Sequence, residues 1–342
     1  MNVLGHSHIA GMGWVTPLGA GLEPVWERWM RGDRPEPKPV SLPGAARSHA
    51  FLPVPAQCVD FLGRTPRLRR SSAISYYAVA AGLAALENAG LTITPEMAAR
   101  TAVVFATSDG GVQYTRRFYD QIVRQGANAA SPLLFPETVY NAPASHLASQ
   151  LGLDGASYTL VGDGSVGVAA LHFAGQLLDT LDIDHCLVVG AEESDWIICE
   201  AYQDWRLART PFAEGAAAVL LGRSGPWRLS THPGIPFFRR REVPAALERV
   251  CSDLASGGPA QWAVCSASQP FMETAERAAL RRYYPEAAEL HPKRVLGEAP
   301  GASALIQVVA AALALQKGGE TRAVAPVVGF NQQTGGAVVE LA

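Results

Sequence analysis

Residues Gly155–Gly190 read GASYTLVGDGSVGVAALHFAGQLLDTLDIDHCLVVG. Tyr158–Val161 is a short apolar run that reads as a strand. Gly162 and Gly164 break it with a turn. Ser165–Leu181 is built of small and apolar residues and reads as a helix. Cys186–Gly190, CLVVG, is an unbroken apolar strand. A strand without polar alternation belongs to a sheet covered on both faces. The same order returns at Gly297–Gly329, where GEAPGASALIQVVAAALALQKGG leads into AVAPVVG. This echo indicates an internal duplication.

The flanking sequence continues the alternation of strands and helices, which implies an α/β fold with helices on both sheet faces. Val3–Gly13 reads as a strand running into a glycine turn, and Leu22–Arg31 as a helix. Residues 32–66, rich in Pro and Arg, read as a surface excursion. Ser71–Ala89 reads as a helix closed by Gly90. Thr101–Ala106 reads as a buried strand, and Val112–Arg124 and Asn141–Leu151 as helices. Ala216–Leu221 is a further buried strand. Pro226–Arg241 is punctuated by prolines and is the best linker candidate. Beyond it, helices are expected at Pro244–Ala255, Met272–Tyr283 and Ala302–Gln316. Strands are expected at Trp262–Cys265, Ala323–Gly329 and Ala337–Leu341.

Composition narrows the function. The 342 residues are 48% hydrophobic and only 17% charged, against about 25% charged in an average soluble chain. Such a chain hides much surface, in a core or against a partner. The net charge of −3 argues against disorder and against a nucleic-acid binder. The five cysteines, Cys58, Cys186, Cys199, Cys251 and Cys265, include no CxxC pair. Neither a disulfide framework nor a structural zinc site is expected, and no metal or cofactor. Buried thiols suit a reducing compartment, and the N-terminal MNVLGHSHIAGMGW lacks the basic and apolar regions of a signal peptide. A cytoplasmic location is the expectation. Ala299–Leu315 is too short and small-sided for a membrane span.

Five stretches, in order, resemble the β-ketoacyl synthase family of the thiolase fold. They are Ile9–Gly21 (IAGMGWVTPLGAG), Ala106–Gly111 (ATSDGG), the Asn141–Leu151 helix, Gly155–Leu171 and Lys293–Ala304. The resemblance implies a layered αβαβα fold of two similar halves. They are expected at 1–225 and 226–342, in one compact double unit.

That family condenses acyl chains with a cysteine at a helix N-terminus, where the peptide dipole and backbone N–H groups favour the thiolate. Two histidines stabilise the carbonyl oxygen as malonyl-ACP loses CO2. Matching the pattern places Gly164 at the cysteine position, and glycine cannot form an acyl-enzyme. Neighbouring Ser165 points in another direction on the helix. The first histidine's region reads WAVCSASQP (Trp262–Pro270), and no histidine lies between His232 and His291. The second follows Lys-x-x-x-Gly in the family; here KRVLGE retains Lys293 and puts Glu298 in its place. The C-terminal glycine-rich gate is reduced to GFNQQTGG (Gly329–Gly336). No catalytic residue is therefore assigned, and Lys293 reads as a structural remnant.

Within the family the chain is most similar to chain-length factors, the inactive partners of ketosynthases in type II polyketide systems. Val161–Ala170 matches their valine, acidic residue and second glycine, with Gly164 replacing their glutamine. Gly110–Tyr119, GGVQYTRRFY, matches a second stretch. The resemblance implies that Val112, Thr115 and Tyr119 line the acyl tunnel, with Tyr119 as the stop. Their i, i+3, i+7 spacing fits one helix face, which also suits plain core packing. It further implies a heterodimer with an active ketosynthase through Tyr158, Thr159, Leu160 and Val161, and an acyl carrier protein as partner. An aryl-polyene or other polyketide pigment pathway is the expected setting. The alternative is an acyltransferase or thioester hydrolase using Ser165 or Cys265 with Lys293 or Glu298.

Other features carry less. Gly11-x-Gly13 lacks the third glycine of a dinucleotide fingerprint. Glu192, Glu193 and Asp195 are read as helix-entry or interface residues rather than a metal or acid/base site. The basic runs Arg64–Arg70 and Arg239–Arg241 suit a solvated face or a carrier-protein contact. Trp196, Tyr202, Trp205 and Phe212 suggest an aromatic interface patch.

Overall fold

The computed structural model describes residues 4–204, 210–329 and 333–342. Trp205 and the Phe330–Gln332 part of the C-terminal gate lie outside the described residues. The strands are β1 (Gly5–Thr16), β2 (Gly19–Ala20), β3 (Lys38–Val40), β4 (His49–Leu52), β5 (Thr101–Thr107), β6 (Ser157–Val161) and β7 (His185–Glu192). They continue with β8 (Phe212–Ala213), β9 (Gly215–Gly222), β10 (Trp227–Pro236), β11 (Trp262–Val264), β12 (Ala288–Leu290), β13 (Arg322–Val328) and β14 (Gln333–Leu341). The helices are α1 (Leu22–Met30), α2 (Ala73–Asn88), α3 (Pro95–Ala99), α4 (Val112–Gln125), α5 (Ala142–Leu151) and α6 (Val166–Thr180). The rest are α7 (Trp196–Asp204), α8 (Val243–Leu254), α9 (Pro270–Tyr283), α10 (Lys293–Leu296) and α11 (Pro300–Gly318).

The duplication is visible in the sheet. One half runs β6-β5-β7-β9-β1 and the other β12-β11-β13-β14-β10. In each, three parallel strands are followed by two antiparallel ones. The halves join where the first part of β1 pairs with β10. Helices α6 and α11 lie between the halves and touch strands of both, while α2 and α5 cover one outer face and α8 and α9 the other. This is the αβαβα thiolase layering.

The central helices explain the apolar composition. Every residue of α11 from Pro300 to Leu315 is buried. Gln307, which interrupts its apolar run, donates its amide to Val264 O at 2.8 Å and Pro326 O at 3.1 Å. That side chain clamps two strands of the C-terminal half. Among the described residues α11 is the one helix long and apolar enough to cross a membrane, and 83% of the relevant window is buried inside the protein.

Two sequence expectations are corrected. Gly11 and Gly13 form no turn. They sit within β1, where a Cβ would collide with the Ala85 and Ala81 carbonyls of α2. The turn lies beyond them, at Pro17–Leu18. The proline-punctuated Pro226–Arg241 is no linker either. Trp227–Pro236 is β10, laddered to both β1 and β14. Its prolines are tolerated because Pro226 precedes the strand, Pro233 falls in a bulge between His232 and Ile235, and Pro236 ends it. The 32–66 excursion is largely exposed, yet it contributes β3 and β4 to a small second sheet with β8.

Candidate functional site

Gly164, Lys293 and Glu298, which the resemblance marks as the degenerate positions, come together in space. Gly164 precedes α6, with a backbone that a side chain could occupy. A Cβ placed on it would lie 3.7 Å from Lys293 Nζ and 3.7 Å from Glu298 Oε1. It thus faces an ion pair, Lys293 Nζ to Glu298 Oε2 at 2.7 Å, whose side chains are 7% and 0% exposed. Ser303 Oγ donates to the other Glu298 oxygen at 3.0 Å and accepts from the Ala299 amide at 3.2 Å. The Glu298 backbone is fixed as well: its N–H donates to Pro211 O at 2.9 Å, and its carbonyl accepts from Ala213 N at 2.8 Å. Lys293 starts α10 and Glu298 follows the Gly297 turn, so the short helix folds the two side chains onto each other.

This arrangement has no group able to hold an acyl chain at Gly164 and no imidazole at Glu298. Ser165 does not fill the gap. Ser165 is 3% exposed, and its hydroxyl lies between two acceptors, Asp163 Oδ1 at 2.8 Å and Gln333 Oε1 at 3.0 Å. Cys265 packs among the side chains beneath α8 and α9. Burial and the nearby Glu276 and Glu289 push its thiol far above the usual range, the reverse of an activated nucleophile.

A second cluster surrounds the ATSDGG loop. Glu192 is fully buried and accepts from Thr107 Oγ1 at 3.0 Å, Gly301 N at 3.2 Å, and the Ser108 and Asp109 amides. Burial, then repulsion from Asp109, holds its carboxyl well above the ordinary range. Burial pushes Asp109 up to about 7. Glu193 accepts from Ile74 N at 3.0 Å and Gln113 N at 2.8 Å, so one carboxyl joins the N-termini of α2 and α4. Burial raises it to about 7, against the pull of those bonds and of Ser72. Asp195 accepts from Ile197 N at 3.2 Å at the start of α7 and pairs with Arg116 at 2.8 Å. The helix-entry reading of these acids matches the structure. Asp109 escaped the sequence reading because burial, not spacing, distinguishes it.

The three expected tunnel positions lie along α4 and differ in exposure. Val112 is buried, and Thr115 donates to Gly111 O at 3.0 Å. Tyr119 is 58% exposed, edge-on to Phe118. Near it in sequence, Leu133, Phe135, Val139 and Tyr140 are also exposed. The interface positions fall on β6, an end strand of the large sheet, with Tyr158 and Val161 exposed and Thr159 and Leu160 half-buried. Such an edge offers unpaired backbone groups to another strand.

Residues 8–224 match the family model for the beta-ketoacyl synthase N-terminal domain. A 3-oxoacyl-[acyl-carrier-protein] synthase 2 of Vibrio harveyi is 26% identical over 188 residues, 54% of this chain and 45% of its own length. One from Staphylococcus aureus is 23% identical over 231 residues, 63% of this chain and 56% of its own. The alignments thus span about half the length of these curated relatives. Among solved structures, a beta-ketoacyl synthase from Burkholderia phymatum STM815 superposes with a TM-score of 0.82 at 15% identity, covering 99% of this chain and 100% of that one. The ishigamide ketosynthase/chain length factor gives 0.79 at 19% identity, covering 98% and 99%. The ketosynthase ApeO in complex with its chain length factor ApeC, from Xenorhabdus doucetiae, gives 0.79 at 15% identity, covering 99% and 98%. At these identities the superpositions speak for the fold, and the match over residues 8–224 speaks for descent: the chain belongs to the β-ketoacyl synthase family.

Proposed function

We propose that this chain is a non-catalytic subunit of the chain-length-factor kind. It pairs with an active β-ketoacyl-ACP synthase and bounds that partner's acyl tunnel. The observation that carries the reading is the position the resemblance marks for the nucleophile: Gly164 has no side chain and faces a buried Lys293–Glu298 ion pair. With no side chain at this position, no acyl thioester can form on it.

The exposed β6 edge supports the pairing, since a partner strand there would extend the sheet and cover Tyr158 and Val161. Tyr119, outward-facing in the single chain, is available to a channel formed between subunits. Its ring would stop a growing chain sterically, because overpacking costs roughly 1–3 kcal/mol. The substrate would arrive on an acyl carrier protein. A polyene or polyketide pigment, in the cytoplasm, is the setting this reading favours. The halves 1–225 and 226–342 then act as one unit.

The test is co-expression with active β-ketoacyl-ACP synthases from the source organism. The account expects a one-to-one complex, weakened by Val161→Lys on the β6 edge while the lone chain keeps its melting temperature. A stable homodimer that ignores those synthases would refute it.

A further inference from the structure

We infer that Cys265, Glu289 and His291 form a binding site for a borderline-soft dication, Zn2+ by its donor set, at the edge of the C-terminal half. The site is independent of the chain-length-factor reading. Its assembly follows from strand register. β11 and β12 run parallel, with Ala263 opposite Glu289 and Val264 opposite Leu290. The Cys265 amide then donates to Leu290 O at 2.8 Å, continuing the ladder. Side chains alternate faces along a strand, and opposed residues share a face. Glu289 and His291 therefore emerge on one side of β12, and Cys265 emerges on that side from the end of β11. One ligand atom from each, Sγ, a carboxylate oxygen and an imidazole nitrogen, lie within 4.8 Å of one another. His291 Nε2 and Glu289 Oε2 are 3.1 Å apart.

Thiolate, imidazole and carboxylate are the three ligand types of zinc. Tetrahedral bonds of about 2.0–2.3 Å set neighbouring ligands roughly 3.3–3.8 Å apart, so small side-chain rotations close the set. Cys265 is buried while Glu289 and His291 reach the surface, which gives an ion an entry path and a fourth ligand from solvent. Competing groups are engaged elsewhere. Glu276 accepts from the Ser266 amide and hydroxyl and the Ala267 amide. Arg294 is drawn toward Glu273 at 3.5 Å. On binding, the Cys265 thiol loses its proton to solvent as the sulfur–metal bond forms, with no change of oxidation state. The ion would staple the three-residue strand β12 and the loop leading to Lys293 onto β11. The absence of a CxxC pair hid this site, because strand pairing rather than local spacing assembles it.

The experiment uses the full chain without an affinity tag, reduced and freed of metal, titrated with Co2+ and then challenged with Zn2+. One Co2+ per chain should give a thiolate-to-cobalt charge-transfer band. Zn2+ should displace it and raise the melting temperature, while Mg2+ does neither. Cys265→Ser should abolish the band, and His291→Ala or Glu289→Gln should weaken binding by an order of magnitude or more. The absence of a band at one equivalent in folded protein overturns the proposal, as does a band that survives Cys265→Ser. If Cys265→Ser fails to fold, unchanged Co2+ affinity in His291→Ala overturns it.

Discussion

Substituting Glu298 by Ala isolates the role of the buried ion pair. The change removes the partner of Lys293, whose side chain is 7% exposed, and strips Ser303 Oγ of the acceptor it meets at 3.0 Å. Leaving one member of a buried pair uncompensated costs about 3–5 kcal/mol. That is a large part of the roughly 5–15 kcal/mol that stabilises a typical domain. At about 2–4 °C per kcal/mol, the melting temperature should fall by roughly 6–20 °C. The assay is thermal and urea unfolding of the purified chain at neutral pH. The double variant Lys293→Met/Glu298→Leu removes both charges and keeps most of the volume, so it should recover most of the loss. The four-corner comparison then yields the coupling between the two side chains. If Glu298→Ala unfolds with the wild type, or the double variant is worse than the sum of the singles, the pair is not the structural fixture described.

Three further predictions concern other parts of the molecule. Gly164→Ala should be neutral or stabilising by about 0.4–1 kcal/mol, since its Cβ would find ordinary contacts at 3.7 Å; strong destabilisation in urea would contradict that geometry. Between about pH 5 and 7, Glu193, raised from 4.5 to about 7, and Asp109, raised from 3.8 to about 7, lower stability as pH rises, because they hold protons in the folded state that the unfolded chain has released. Burial lowers the pKa of His172, His185, His232 and His291, which acts in the opposite direction, so the test is a comparison: Glu193→Gln should make the profile less negative through this window, and an unchanged profile would refute the assignment. Tyr119→Ala, assayed with the partner ketosynthase, should lengthen the products seen by mass spectrometry; unchanged lengths would remove Tyr119 as the stop.

Periodicity and apolar runs made much of the fold legible. The buried strands β5, β7 and β9 and the helices α2, α6 and α11 lie close to where residue patterns place them. Near-complete burial gives the three strands and α11 an unbroken apolar signature. β10 was hidden because its prolines mimic a linker, and only the position of its bulge makes them harmless. β12 is three residues of mixed polarity, and β8 is two residues whose partner β4 lies far away in sequence. Neither leaves a local pattern. The absence of a cysteine and of histidines at the positions the family resemblance marks was legible as missing residue types. That Glu298 closes onto Lys293 was not, because the turn at Gly297 brings them together. The Cys265–Glu289–His291 group likewise depends on a parallel pairing that no spacing rule detects.

The most direct test of the central claim is intact-protein mass spectrometry of the chain alone after incubation with acyl-ACP and malonyl-ACP. If Gly164 stands at the nucleophile position, as proposed, the chain should keep its unmodified mass and leave malonyl-ACP undecarboxylated. A stoichiometric acyl adduct mapping to Ser165 or Cys265 would contradict the account.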